Sequence, residues 1–286
     1  MKLIHRPVLS NLDFFYFRIL GPGFGNLLFP LYRAFQAHQT YGGDLIFPQF
    51  RQLKIGPHVR REKDRRSYGD IFLSRTKNDI FLQARSLIQR AVEENKFSEQ
   101  ILRDSAGSVI IKYKGLKKFF NDFNVEHRDG FKKYLIEHAR SKTAINFCRE
   151  SITSQRVAIH LRMGDFSVTA SNENKGHGMN VRTDLDWFIK NVDILRAKNS
   201  NLEFTLFTDE VDLPGPVIER LGWPAIDRSE NALDALLCMA SHQIIIGSKS
   251  TFSLWAAYLG NSELWLPADF NLWDFATDKH IRYVQA

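Results

Sequence analysis

"QIIIGSKSTFSLWAAYLG", residues 243–260, changes its local character twice. An apolar, β-branched run leaves through Gly247 into a Ser/Thr-rich turn, and the chain resumes as an apolar segment of helical length. This reads as strand, turn and helix. Ser250, Thr251 and the first backbone amides of that helix form a ready anion site; the same hydroxyls suit ordinary capping of the helix, and the two roles are compatible.

Working outward, the pattern repeats. "RVAIHLR" (156–162) reads as strand and "DLDWFIKNVDILRAK" (184–198) as a helix with Leu185, Phe188, Ile189, Val192 and Leu195 on one stripe. "LEFTLFTDE" (202–210) follows as strand, "GPVIERLG" (215–222) and "LDALLCMASH" (233–242) as helices, and "SELWLPA" (262–268) as strand. Such alternation implies a mostly parallel sheet covered by helices, with the ligand at the carboxyl ends of the strands. His160, Arg162, Asp209 and Ser248 all fall at such ends.

The first half has the same ingredients in a less regular order. "DFFYFRIL" (13–20) reads as a strand, "FGNLLFPLYRAFQAHQTYG" (24–42) as a helix ended by Gly42 and Gly43, and "DLIFP" (44–48) as another strand. "NDIFLQARSLIQRAVEEN" (78–95) is amphipathic, with Ile80, Phe81, Ala84, Leu87, Ile88, Ala91 and Val92 at helical spacing. "SVIIKYKG" (108–115) is a strand, and "HRDGFKKYLIEHARSK" (127–142) is a helix leading to a boundary near 150. The 286 residues therefore divide as 1–150 and 151–286, two domains with no Pro/Ser linker between them, packed around a cleft.

Hydrophobic residues make up 44% of the chain and charged ones 25%, which argues against disorder. No apolar run approaches the roughly 18 residues of a membrane span, and the opening "MKLIHRPVLSNLDFF" is broken by polar residues too early for a signal peptide, so a cytoplasmic protein is expected. The two cysteines, Cys148 and Cys238, form no CxxC pair; both are expected to be buried thiols rather than a disulfide framework or zinc site. A net charge of +7 implies an anionic partner, and the densest basic tract is residues 51–70, with Arg51, Lys54, Arg60, Arg61, Lys63, Arg65 and Arg66. That tract fits a solvated basic face, or a surface for phosphate or anionic lipid.

"VAIHLRMGDF" (157–166) concentrates the chemistry. His160 and Arg162, two apart on a strand, share one face. Arg162 offers a planar fork for two phosphate oxygens, and His160 can hydrogen-bond a hydroxyl or phosphate. Gly164 permits a sharp turn, and Asp165 caps the loop or holds Arg162. The same residues also fit an internal Arg162–Asp165 ion pair beside a satisfied core histidine. "LGPGFGNLLF" (20–29) fails the dinucleotide fingerprint because Asn26 stands in the last glycine position, yet Gly25 and Asn26 allow close approach of backbone to ligand; a tight structural turn explains it equally. Asp209 ends its strand as a hydrogen-bond acceptor for a ribose or base, or as a helix cap. There is no HExxH, Walker A, GxSxG or DxD motif, so metal and nucleophilic catalysis lack support and no metal is expected.

Taken in order, "GPGFGNLLF", "HLRMGDF", "FTDE" and "DALLCMASHQIIIGSKSTFSLWAAYLG" resemble the fucosyltransferase superfamily, most closely the bacterial α-1,2-fucosyltransferases of polysaccharide assembly, a glycosyltransferase family 11-like pattern. The chain departs from it at Met163, where a second arginine is usual, at Leu27 or Leu28, where a glutamine follows the Gly-Asn pair, and at Lys249, which interrupts an Asn-Ser-Ser-Phe-Ser turn.

The resemblance implies a GT-B-like α/β fold, two Rossmann-like domains facing a cleft, the C-terminal one with a mostly parallel sheet. It implies inverting, metal-independent transfer of fucose from GDP-fucose to a hydroxyl, with the donor held mainly by the C-terminal domain and the acceptor by the N-terminal one. No cofactor is needed beyond the GDP-sugar co-substrate. Arg162 would be catalytic, holding the β-phosphate and stabilising the GDP leaving group. His160 would contact ribose or phosphate, Asp209 the nucleoside, and Ser250, Thr251 and Phe252 the phosphates. Gly25 and Asn26 would reach the donor from across the cleft, while Gly164 and Asp165 would be structural. For the general base, Asp13, Glu173, His177 and Asp184 fit equally.

The acceptor expected is a surface glycan of O-antigen type, lipid-pyrophosphate-linked, as in lipopolysaccharide assembly. The basic tract would then seat the protein peripherally on the cytoplasmic face of the inner membrane. A close alternative is transfer of another GDP-activated deoxy sugar, colitose or 6-deoxyheptose. A non-catalytic basic protein binding nucleic acid is the different-class alternative; no nucleic-acid partner is expected, because the tract interleaves only Tyr68 and no binding module appears.

Overall fold

The computed structural model describes residues 3–10, 12–13, 18–19, 21–53, 67–73, 76–88, 91–97, 107–141, 155–162, 182–210 and 213–286. The chain separates into two compact units, Met1–Arg140 and Ser141–Ala286. The division expected near 150 falls within 142–154, outside the described residues.

The N-terminal unit runs β1 (Leu3–Val8), β2 (Leu12–Asp13), β3 (Arg18–Ile19), α1 (Phe24–Tyr41), β4 (Asp44–Leu45), β5 (Gln52–Leu53), α2 (Lys77–Ile88), β6 (Ala91–Glu93), β7 (Val109–Lys114) and α3 (Arg128–His138). Its main sheet has the order β4-β1-β7-β6, with every pair parallel. The central strand β1 buries His5, whose two ring nitrogens meet the Tyr113 hydroxyl and the Gly42 carbonyl, each at 2.9 Å. That satisfied imidazole has its pKa lowered, chiefly by burial.

Helix α1 begins after the Gly23 cap and buries Leu27, Leu28 and Leu31. It ends where expected, at Gly42, with φ of 69°. Gly43 follows at φ 96°, and a Cβ there would lie 2.6 Å from the Leu3 carbonyl oxygen, so both conformation and space require glycine. Aromatic rings on α1 adjoin these leucines. Tyr32 stacks on Phe123 at 4.0 Å, Phe29 packs edge-on to Phe120 at 5.1 Å, and Tyr32 and Phe35 meet the ring of Phe131 from α3 at 4.8 and 5.5 Å. Phe29, Phe120 and Phe131 are fully buried.

Three expectations need correction here. "DFFYFRIL" is not one strand: β2 and β3 pair antiparallel near its ends, and 14–17 lie outside the described residues. Ala91 and Val92 leave the helical pattern for β6, because pairing with Ile110 and Ile111 of β7 lets Val92 pack beside Leu3 and Ala34. Phe81 is exposed, while the neighbouring Leu82 enters the core beside Ile4 and Ile110.

The C-terminal unit runs β8 (Arg156–Leu161), α4 (Leu185–Lys198), β9 (Glu203–Thr208), α5 (Gly215–Arg220), β10 (Ala225–Ile226), α6 (Ala232–Met239), β11 (Ile244–Gly247), α7 (Thr251–Gly260), β12 (Glu263–Leu266) and β13 (Arg282–Gln285). Its sheet is wholly parallel in the order β10-β9-β8-β11-β12-β13. Counted along the chain this is 3-2-1-4-5-6, the dinucleotide-binding order, which reverses between β8 and β11. Val157, Ile159 and Leu161 of β8 meet Phe188, Val192 and Leu195 of α4 in one core cluster, as the helical stripe requires. Edge strands β10 and β13 were not anticipated: β10 has two exposed residues, and β13 has none of the apolar richness of the central strands. Each unit thus carries a parallel α/β sheet, in line with the expected two-domain α/β class.

Candidate active site

In open parallel sheets a ligand sits outside the carboxyl ends of the strands, at the point where strand order reverses. Here that point lies between β8 and β11, where Gly247 pairs with His160. The Ser248 side chain ties the two strand ends together: its hydroxyl donates to the His160 carbonyl at 2.8 Å and accepts from the Arg162 amide at 2.9 Å. Arg162 is thereby fixed at the backbone before its side chain does anything.

His160 is buried, its ring 5.4 Å from that of Phe252 and its Nδ1 2.6 Å from the Ser253 hydroxyl. That hydroxyl has one proton, donated to the Ser248 carbonyl at 3.0 Å. With that proton on the Ser248 carbonyl, Nδ1 donates to Ser253 and Nε2 is the acceptor of the neutral ring; in the other tautomer Ser253 donates to Nδ1 and Nε2 carries the proton. Neutrality follows from the environment: burial first, then the Arg162 charge, bring the imidazole pKa to about 3, against an opposing pull from Asp209. The neutral ring thus offers Nε2 to a ligand hydroxyl in either tautomer.

This has a stability consequence with a definite sign. The unfolded imidazole titrates near 6.5 and the folded one near 3, so between those values the unfolded chain binds the proton more readily. Stability conferred above pH 6.5 is lost as pH falls toward 3. The urea midpoint is expected to be lower at about pH 4.5 than at about pH 7, and the gap to narrow in His160→Gln. An unchanged gap in the variant would show that other groups carry the acid response.

The Arg162 Nε lies 3.7 Å from Asp209 Oδ2, with both side chains about a fifth exposed. Asp209, from the end of β9, therefore orients the guanidinium. The alternative of an Arg162–Asp165 pair involves Asp165, which with Gly164 lies outside the described residues. Opposite them, Ser250 caps α7 by accepting from the Ser253 amide at 3.3 Å, and the first turn, with Thr251 and Phe252, has no acidic residue. Capping and anion binding remain compatible, since the positive end of the helix dipole is unopposed there.

Gly25 and Asn26 occupy the first turn of α1 in the N-terminal unit, where the Asn26 amide donates to the Gly23 carbonyl at 3.0 Å. In the same glycine-rich bend, a Cβ on Gly21 would lie 2.3 Å from the Arg18 guanidinium, and its φ is 138°, so that glycine serves a close turn. Asp184 caps α4 by accepting from the Asp186 amide at 3.1 Å. Glu173, His177, Cys148, the side chain of Asp13 and residues 54–66 of the basic tract lie outside the described residues. Cys238 is a buried thiol in no disulfide among the described residues, as expected. Sequence reasoning missed Ser253, the partner of His160; its spacing three residues after the cap was the available signal. Among the described residues, no helix is long and apolar enough to cross a membrane, and no three His, Cys, Asp or Glu side chains gather as a metal-binding group.

Among solved structures, the chain is similar to POFUT1 in complex with GDP at 12% identity and a TM-score of 0.47, covering 88% of this chain and 96% of that one. It is also similar to POFUT1 in complex with GDP-fucose at 11% identity and 0.46, covering 88% and 96%, and to its apo form at 13% and 0.45, covering 84% and 93%. No curated protein matches by sequence. The family description "Glycosyl transferase family 11" matches residues 110–280, which is more than half of the chain and spans β8, β9, β11 and α7. The chain therefore belongs to glycosyl transferase family 11 and is a glycosyltransferase of the fucosyltransferase kind.

Proposed function

We propose that the protein transfers fucose from GDP-fucose to a hydroxyl of a surface glycan of O-antigen type, with inversion and without a metal ion. The observation that carries this is the Arg162–Asp209 pair beside neutral His160 at the strand-order reversal, next to the unopposed N-terminus of α7. Membership of glycosyl transferase family 11 supports sugar transfer as the chemistry.

In the reaction, the acceptor oxygen bonds to C1 of fucose as the bond from C1 to the β-phosphate oxygen breaks, and the hydroxyl proton passes to a base. Arg162 neutralises charge growing on the departing β-phosphate, a stabilisation that is larger in the transition state than in the ground state. Asp209 holds the guanidinium and His160 contacts the ribose or a phosphate of the donor. Ser250, Thr251 and Phe252 surround the diphosphate through the helix start. The acceptor is lipid-linked and the enzyme sits peripherally on the cytoplasmic membrane face, a seat that the net charge of +7 supports.

The test is calorimetric titration with GDP in the absence of divalent metal, followed by turnover with GDP-fucose, GDP-colitose and GDP-6-deoxyheptose and assignment of the product anomer. Micromolar GDP binding and preferred turnover of GDP-fucose with inversion are expected. A folded protein that does not bind GDP would remove the donor assignment; preference for another donor would move it to that sugar.

A further inference from the structure

Lys249 stands between Ser248 and Ser250 and is only 5% exposed. Its Nζ donates to Asp269 Oδ2 at 2.5 Å, and Asp269, in the loop after β12, is 69% exposed. A buried ammonium is expensive unless paired, and Asp269 is the partner that the free protein gives it. The strand order supplies the geometry. β8 and β12 flank β11 on opposite sides, so the turn entering α7 has the Arg162–Asp209 pair toward one side and the Lys249–Asp269 pair toward the other.

The neighbouring hydroxyls are already engaged. Ser248 bridges His160 and Arg162, and Ser250 caps the helix. A diphosphate carries more negative charge than one guanidinium neutralises, and Arg162 is shared with Asp209. We infer that Lys249 is a second phosphate ligand of the donor site: its ammonium rests on Asp269 in the free enzyme and turns to the diphosphate when donor binds. The exposed Asp269 carboxylate loses little when released to water, while the ammonium gains a partner of higher charge next to the positive end of α7. This rests on the GDP-sugar reading above.

The test compares guanosine, GMP and GDP by calorimetry on wild type, Lys249→Met, Lys249→Arg and Asp269→Asn. Lys249→Met is expected to weaken GDP by about 10- to 100-fold, the range of a charge-assisted hydrogen bond, while guanosine binding stays as in wild type. Lys249→Arg should restore most of the GDP affinity, and Asp269→Asn should leave it equal or tighter. Guanosine binding doubles as the check that each variant is folded. Equal weakening of guanosine and GDP in Lys249→Met, or weaker GDP binding in Asp269→Asn, would reduce the pair to a structural clasp. If wild type binds GDP and Lys249→Met binds it as tightly, only the lysine's role fails; if wild type binds no GDP, the donor reading fails and takes this inference with it.

Discussion

Replacing Arg162 with alanine lowers sugar transfer by about 10²- to 10³-fold, the loss expected when one preorganised donor is taken from a developing oxyanion. The protein stays folded, because the anchoring bond to Ser248 comes from the Arg162 backbone amide and the side chain is partly exposed. The loss falls mainly on kcat, since neutralising the leaving group matters most as the bond breaks. A lysine at this position is not a repair: Arg162→Lys keeps the charge but loses the planar fork, and recovers only part of the rate. Initial rates at saturating GDP-fucose decide this, with circular dichroism as the folding control. A rate close to wild type would show that Arg162 does not meet the leaving phosphate.

Phe131→Ala carries the largest expected cost in stability, about 3–5 kcal/mol for a buried aromatic that leaves a cavity. Its ring is fully buried against Tyr32 and Phe35, so truncation leaves a cavity between packed rings. Against a typical total of about 5–15 kcal/mol, that is a large share. Chemical denaturation followed by fluorescence measures it, and Phe131→Leu should cost much less. A loss under about 1 kcal/mol would mean that α1 and α3 close up around the deletion.

What could be read from residues alone follows a physical divide. The central strands and α4 of the C-terminal unit were legible because each satisfies its own period: "VAI" (157–159) and "III" (244–246) are short apolar runs, and the α4 stripe lands on the core side. β10 and β13 escaped notice because edge strands are partnered on one side only and need little apolar content. Ala91 and Val92 misled because their spacing suits a helix, while pairing to β7 decides otherwise. At the site, His160, Arg162 and Asp209 were visible as polar groups at strand ends. Their arrangement was not: that Arg162 turns to Asp209, or that Ser253 meets the imidazole of His160, depends on segments brought together by the sheet.

That wholly parallel sheet also shapes how the protein is made. Parallel neighbours cannot be joined by a hairpin, so every pairing in the C-terminal unit waits for a crossover to close. β9 follows β8 directly, but β11, its other neighbour, is synthesised only after β10 and α6. A nascent chain leaving the ribosome therefore carries the open apolar edge of β8 through that interval, a template for pairing with other chains. Slowed synthesis at reduced temperature or an early chaperone should raise the soluble yield, and the strand that bears His160 is the segment they would be shielding.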